Sequence, residues 1–350
     1  MADDRIPVTL LTGFLGSGKT TLLNAWLRSP DLANAAVIVN EFGEVGIDHA
    51  LIASSNDNTI ELSTGCLCCT VRGDLVNTLR ELIVSREKGE VRAFDRVVIE
   101  TTGLADPTPV IQALMTFPVA RRFRLRQVVT TVDAVNGTVT LANHPESIKQ
   151  VAVADELILT KVDVGTDDGD AITEELRKLN RGAHIHRSSL DHISMPNDLE
   201  AVDIYDPATK SSDVARWLNA EAHAADSNHG HEHHGHHHDV TRHSADIASF
   251  VFEFDKPLHW EHVANWIDAL VMAHGQDLLR VKGIIDVVGR ERPIVIQAVQ
   301  SLMHPPFELP SWPEGAKASR IVFITRRLSR AYVGEVLDTL RQRNPAHYAA

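Results

Sequence analysis

Residues 13–20 read Gly-Phe-Leu-Gly-Ser-Gly-Lys-Thr, a match to the phosphate-binding pattern Gly-x-x-x-x-Gly-Lys-Thr. The segment sits between an apolar β-type run, Pro7–Leu11, and a run from Thr20 to Leu27 whose Leu22, Leu23, Trp26 and Leu27 recur at helical spacing. Strand, glycine loop and helix in that order constrain the fold strongly. The loop must curl its N–H groups around an anion at the start of a helix, where the backbone carries a partial positive charge. Gly13, Gly16 and Gly18 allow that turn, Lys19 can reach the outer phosphates, and the Thr20 hydroxyl can ligate Mg²⁺. Ser17 and Thr21 complete the expected phosphate site. A glycine-rich turn that binds nothing would not need the Lys-Thr pair in this context.

Further apolar runs repeat the alternation of strand and helix. Ala35–Val39, Arg96–Ile99, Gln127–Val132 and Glu156–Leu159 read as buried strands, with helices predicted over 74–85, 109–117, 146–151 and 171–179. Continuous apolar strands separated by helices imply a parallel sheet covered on both faces. The predicted fold class is therefore α/β, a P-loop doubly wound, mostly parallel sheet. After about residue 247 the order changes. Strands are predicted at 248–254, 281–288, 294–299 and 319–325, with helices at 259–273 and 330–341, which suggests a second, smaller α+β C-terminal domain. The expected division is 1–221, a P-loop domain; 222–246, a His-rich flexible linker; and 247–350, the C-terminal domain.

A net charge of −13 argues against nucleic acid as a partner, and no run approaches the roughly 18 apolar residues of a membrane span. The acidic start Met1-Ala2-Asp3-Asp4 is not that of a secretory signal. All three cysteines fall at Cys66, Cys68 and Cys69, too few and too close for a disulfide framework, so a cytoplasmic location is expected.

Two further segments bear on the nucleotide. Glu100-Thr101-Thr102-Gly103 follows a predicted strand, and strand ends in such sheets point at the ligand. Glu100 can hold Mg²⁺ or place an attacking water, and Gly103 lets backbone approach the terminal phosphate. Thr160-Lys161-Val162-Asp163 also follows a strand. Asp163 can accept two hydrogen bonds from guanine, a donor pair that adenine lacks, and Lys161 can stack its stem on the base. Asn is usual at the first position of this guanine signature, and Thr160 stands there instead. Asn40–Asp48, with two glycines and three carboxylates, reads as a switch-type loop; Glu41 is its candidate for Mg²⁺ or water. The catalytic candidates are thus Lys19, Glu41 and Glu100.

Thiolates at i, i+2 and i+3 can converge on one Zn²⁺ or Cu(I) only in a turn, and Thr64-Gly65 supplies one. Three sulfurs leave a fourth tetrahedral position open, which suits transfer better than permanent binding. A redox pair, Cys66 with Cys69, is the weaker alternative because it leaves Cys68 without a role. His229, His231, His233, His234, His236, His237 and His238 form a second, looser set of metal ligands, or else a polar spacer.

Together, Gly13–Thr20, Asn40–Gly46, Gly65–Cys69, Glu100–Pro107, Thr160–Asp163 and the part from about 247 to 342 resemble the CobW family of P-loop GTPases, relatives of the nickel-insertion GTPases UreG and HypB. The resemblance implies GTP hydrolysis coupled to delivery of a metal, usually zinc or cobalt. The implied cofactors are GTP, Mg²⁺ and Zn²⁺ (or Co²⁺), and the implied partner is a client metalloprotein, with a homo-oligomer left open. It places Lys19 and Thr20 on phosphate and Mg²⁺, Asp163 on guanine, and the three cysteines on the transferred metal. The rival reading is a metal-storage or sensing protein that uses nucleotide as a structural ligand.

Overall fold

The structure is a computed structural model that describes residues 4–29, 32, 34–40, 59–62, 71–164, 169–189, 192–193, 247–313 and 318–343. The chain divides into two compact units, Met1–Glu175 with Ala183–Asp206, and Leu176–Gly182 with Pro207–Ala350.

The first unit is built on a seven-stranded sheet. Its strands are β1 (Ile6–Gly13), β2 (Ala35–Asn40), β3 (Thr59–Leu62), β4 (Arg96–Glu100), β5 (Phe123–Asp133), β6 (Glu156–Thr160) and β7 (His184–Arg187). They lie in the order β3-β2-β4-β1-β5-β6-β7, and every pairing is parallel. The connections include helices α1 (Lys19–Trp26), α2 (Val71–Lys88), α3 (Thr108–Met115), α4 (Gly137–Asn143), α5 (Pro145–Val153) and α6 (Asp170–Leu179). Because all strands run one way, their C-terminal ends share one edge of the sheet. β1 has β4 on one side and β5 on the other, which makes its C-terminal end the point where ligands bind in open α/β sheets.

The same apolar spacing that predicts α1 also anchors it. Leu22, Leu23 and Trp26 are at most 2% exposed and pack with Leu11, Val37, Val98, Val129 and Ile158. Burial of each such side chain contributes about 1.5–3 kcal/mol, so the helix that follows the phosphate loop is fixed by the core beneath it.

Three elements of this unit have no counterpart in the sequence reading. β3 is only Thr-Ile-Glu-Leu, and β7 is His-Ile-His-Arg, an edge strand without an apolar run. α4 begins at Gly137 and carries β-branched Thr138, Val139 and Thr140, a composition with low helix propensity. Of α4, only Gly137 is buried, and a Cβ there would lie 3.0 Å from Ile172 and Val132. Packing rather than propensity therefore sets this short helix.

The second unit holds a six-stranded antiparallel sheet, β8 (Ile247–Phe254), β9 (Leu278–Ile285), β10 (Ile294–Val299), β11 (Leu302–Met303), β12 (Phe307–Glu308) and β13 (Ser319–Arg326). Helices α7 (Trp260–His274) and α8 (Arg330–Arg343) supply much of its core. Trp266, 1% exposed, stands edge-on to Phe252 and donates its Nε1–H to the Val333 carbonyl at 3.0 Å. Its polar atom is therefore satisfied inside an apolar core. β9 spans Leu278–Ile285 rather than the expected 281–288. Its outer residues pair with β13 and β10, while Val287 makes only an isolated bridge to Leu258.

Candidate functional site

The phosphate loop leaves β1 at Gly13 and enters α1 at Lys19. Gly13, Gly16 and Gly18 have φ of 141°, 70° and 87°, a region that side chains disfavour. Gly18 precedes α1 without a side-chain cap, an arrangement that suits an anion at the helix N-terminus. The loop is pinned from beneath. Ser17, 2% exposed, donates through Oγ to the Phe14 carbonyl at 2.7 Å and shares a 2.6 Å hydrogen bond with Thr131 Oγ1 of β5. Lys19 is 8% exposed, and its Nζ donates to the Phe14 carbonyl at 3.1 Å, folded over the loop. Thr21 is exposed in the first turn of α1.

Glu100 ends β4, next to β1, and its buried carboxylate accepts the Thr20 hydroxyl proton at 2.7 Å. Two hard oxygen donors thus stand together, one in the first turn of α1 and one at the end of β4, a donor set that fits Mg²⁺. The backbone continues against β1, with Thr101 N–H donating to Leu11 O at 3.0 Å and Thr101 Oγ1 to Thr12 Oγ1 at 2.8 Å. At Gly103 the approach becomes steric. A Cβ there would sit 2.6 Å from the Leu15 nitrogen and 2.7 Å from its Cα. The glycine thus brings this segment against the phosphate loop, as its residue type suggests.

Thr160, where the guanine signature usually has Asn, occupies the end of β6. Its Oγ1 donates to the Ser17 carbonyl at 2.8 Å, with Val132 O at 3.2 Å, and its methyl group faces Gly18. Lys161 has φ 58°, a left-handed backbone, and its Nζ pairs with Asp133 at 2.7 Å. Burial acts to raise the Asp133 pKa, but hydrogen bonds from Lys161, Asn136 and the Val135 N–H outweigh it, and the carboxyl stays below its usual range. Asp163 is exposed beyond this turn. A cavity of about 290 Å³ lies beside the loop, with Phe14, Ser17, Asp133, Leu141, Gln150 and Lys161 among its lining residues.

The structure therefore brings Ser17, Lys19, Thr20, Glu100, Gly103 and Thr160 together around Gly13–Gly18, Gly103 by close approach to Leu15 and the others through side-chain hydrogen bonds. Asp133 was missed by sequence reasoning. Its only signal is a carboxylate at the end of a strand, and its pairing with Lys161 joins residues far apart in the chain. Glu41, Cys66, Cys68, Cys69 and the histidines from His229 to His238 lie outside the described residues. Among the described residues, no group of three or more His, Cys, Asp or Glu is arranged to hold a metal ion. No described helix is long and apolar enough to cross a membrane.

Comparison with known proteins adds to this geometry. The CobW/HypB/UreG nucleotide-binding domain family matches residues 7–187, and the cobalamin synthesis protein cobW C-terminal domain matches 247–341. The chain is 32% identical over 338 residues to the zinc chaperone YjiA of Escherichia coli, covering 96% of this chain and 99% of that one. It is 31% identical over 375 residues to the zinc chaperone CobW of Pseudomonas aeruginosa, with 96% and 91% covered. Among solved structures, the Zn(II)-bound YjiA GTPase from E. coli matches with a TM-score of 0.67 at 28% identity, over 97% of this chain and all (100%) of that one.

Proposed function

The chain belongs to the CobW family of P-loop GTPases, and we propose that it uses GTP hydrolysis to control the binding of Zn²⁺ at Cys66, Cys68 and Cys69 and its delivery to a client metalloprotein. Co²⁺ is the alternative cargo. One observation carries the reading. In a sheet whose strands are all parallel, the nucleotide segments and the cysteine segment each follow a strand in the chain. Residues 13–20 follow β1, Glu41 follows β2, Cys66–Cys69 lie between β3 and α2, Glu100–Gly103 follow β4, and Thr160–Asp163 follow β6. The strands that precede the nucleotide and cysteine segments in the chain thus end along one edge of one sheet, which supports a coupled device.

In this reading Gly13, Gly16, Ser17, Gly18 and Thr21 hold the phosphates, and Lys19 turns from Phe14 O onto the outer ones. Thr20 and Glu100 would hold Mg²⁺, which when bound neutralises charge on the β- and γ-phosphates. Asp163 pairs with guanine, while Lys161, steadied by Asp133, lies along the base. Glu41 and Glu100 are the candidates for orienting water. Gly103 brings backbone to the terminal phosphate, so loss of that phosphate removes a contact and relaxes the switch segments. The proposed division is a GTPase domain over 1–221, a His-rich linker over 222–246 that collects metal loosely, and a C-terminal domain over 247–350 for client docking.

Turnover tests the proposal. The protein is expected to hydrolyse GTP over many cycles, and Lys19→Ala should lose nucleotide binding. Cys66→Ser, Cys68→Ser and Cys69→Ser together should remove tight Zn²⁺ binding and leave nucleotide affinity within about twofold, since no sulfur serves phosphate. GTP binding without multiple turnover would instead favour a storage or sensing role.

A further inference from the structure

Helix α5 grips the segment after β4 with two consecutive residues. Gln150, whose side chain is 0% exposed, donates through Nε2 to the carbonyls of Gly103 and Ala105, each at 3.0 Å. Lys149 Nζ meets Asp106 Oδ2 at 2.6 Å. The orientation of the Gln150 amide follows from its surroundings. Two carbonyl oxygens are acceptors only, so the NH₂ group must face them. Its Oε1 is then buried, with no hydrogen-bond partner among the described residues. A buried acceptor left in that state is a net cost to the folded state. The nitrogen therefore serves the segment while the oxygen adds nothing to the fold.

The backbone held by Gln150 is the one that meets the phosphate loop, where a Cβ on Gly103 would come within 2.6 Å of the Leu15 nitrogen. Gly103 is thus fixed both by Leu15 and by Gln150. Neither Gln150 side-chain hydrogen bond goes to residues 13–20. The grip on the inner phosphates and the placement of Gly103 are consequently separate tasks of separate residues.

We propose that Gln150 is the positioning residue of the nucleotide switch: it fixes the Gly103–Ala105 backbone against the phosphate loop and thereby sets the preference of the site for a nucleoside triphosphate over a diphosphate. The inference rests on the reading above, that Gly103 addresses the terminal phosphate of GTP. Lys149, 23% exposed and paired with Asp106, assists from the adjacent position. A partly exposed ion pair is worth less than the buried amide.

The test is equilibrium binding of a non-hydrolysable GTP analogue and of GDP to the full-length chain, in wild type, Gln150→Met and Lys149→Met, with melting midpoints recorded for each. Met keeps the length of Gln and removes both donors. The expected result is a loss of analogue affinity of about tenfold or more in Gln150→Met, from two missing hydrogen bonds, with GDP affinity changed less than about twofold. Lys149→Met should shift the same ratio by about two- to threefold. Equal losses for both nucleotides, or no loss for either, would overturn the proposal, since a merely structural residue moves both together. If Gln150→Met does not fold, the Lys149→Met ratio decides: a shift toward GDP supports the inference and an unchanged ratio overturns it. A wild type that binds neither guanine nucleotide would overturn the functional reading itself, and this inference with it.

Discussion

Thr160 and Gly103 show how much single positions carry. The Thr160 hydroxyl joins the end of β6 to the phosphate loop at Ser17 O and to β5 at Val132 O, from a residue that is 8% exposed. Thr160→Val keeps the shape and removes the donor. It should lower unfolding stability by about 1–2 kcal/mol, read from urea denaturation, because a buried carbonyl loses its partner. An unchanged midpoint would mean that the hydroxyl does not tie the strands. Gly103→Ala places a methyl group against Leu15 backbone that cannot rotate away. The expected cost is about 1–3 kcal/mol by thermal unfolding; a variant as stable as the wild type would show that the two segments are not in contact. As strand-end candidates, the positions of Gly13–Thr20 and Thr160–Asp163 are legible in the sequence because each is a short contiguous pattern. Those of Asp133 and Gln150 are not, since their partners Lys161 and Gly103 are 28 and 47 residues away.

Among the elements, α5 is the one whose importance the sequence conceals. Its apolar spacing predicts a helix over 146–151, close to the observed Pro145–Val153. Nothing in that spacing says that Lys149 and Gln150 would reach the segment after β4. The same local blindness explains the absence of β3, β7 and α4 from the sequence reading: their residues lack a period and are placed by neighbours. Where strands are continuous and apolar, as in β1, β4 and β6, the parallel sheet is plain. The α5 contact also predicts an acid response. Burial acts to raise the Asp106 pKa, but hydrogen bonds from Lys149 and Thr108 outweigh it, and the carboxyl ends below its usual value. The folded state then binds fewer protons than the unfolded state. The stability Asp106 contributes is complete above about pH 4 and is lost as pH falls through its folded pKa. Asp133 acts in the same sense. Asp106→Asn should therefore show a shallower loss of stability than wild type between about pH 4 and pH 2, in urea midpoints taken at each pH. Parallel curves would mean that Asp106 is not titrating against Lys149.

For the whole molecule, the central claim is that nucleotide state and metal affinity are coupled across one sheet edge. Linkage makes that claim reciprocal: if GTP tightens Zn²⁺ binding by some factor, Zn²⁺ tightens GTP binding by the same factor. If the histidines from His229 to His238 supply weak metal sites, deleting residues 229–238 should remove these while sparing the tight one. A titration of Zn²⁺ into the full-length protein, loaded in turn with a non-hydrolysable GTP analogue and with GDP, measures the coupling directly. The account predicts one tight site that depends on Cys66, Cys68 and Cys69 and is stronger in the analogue-bound form by about tenfold, within the usual range of coupling energies. Equal Zn²⁺ affinity in the two nucleotide states would contradict it.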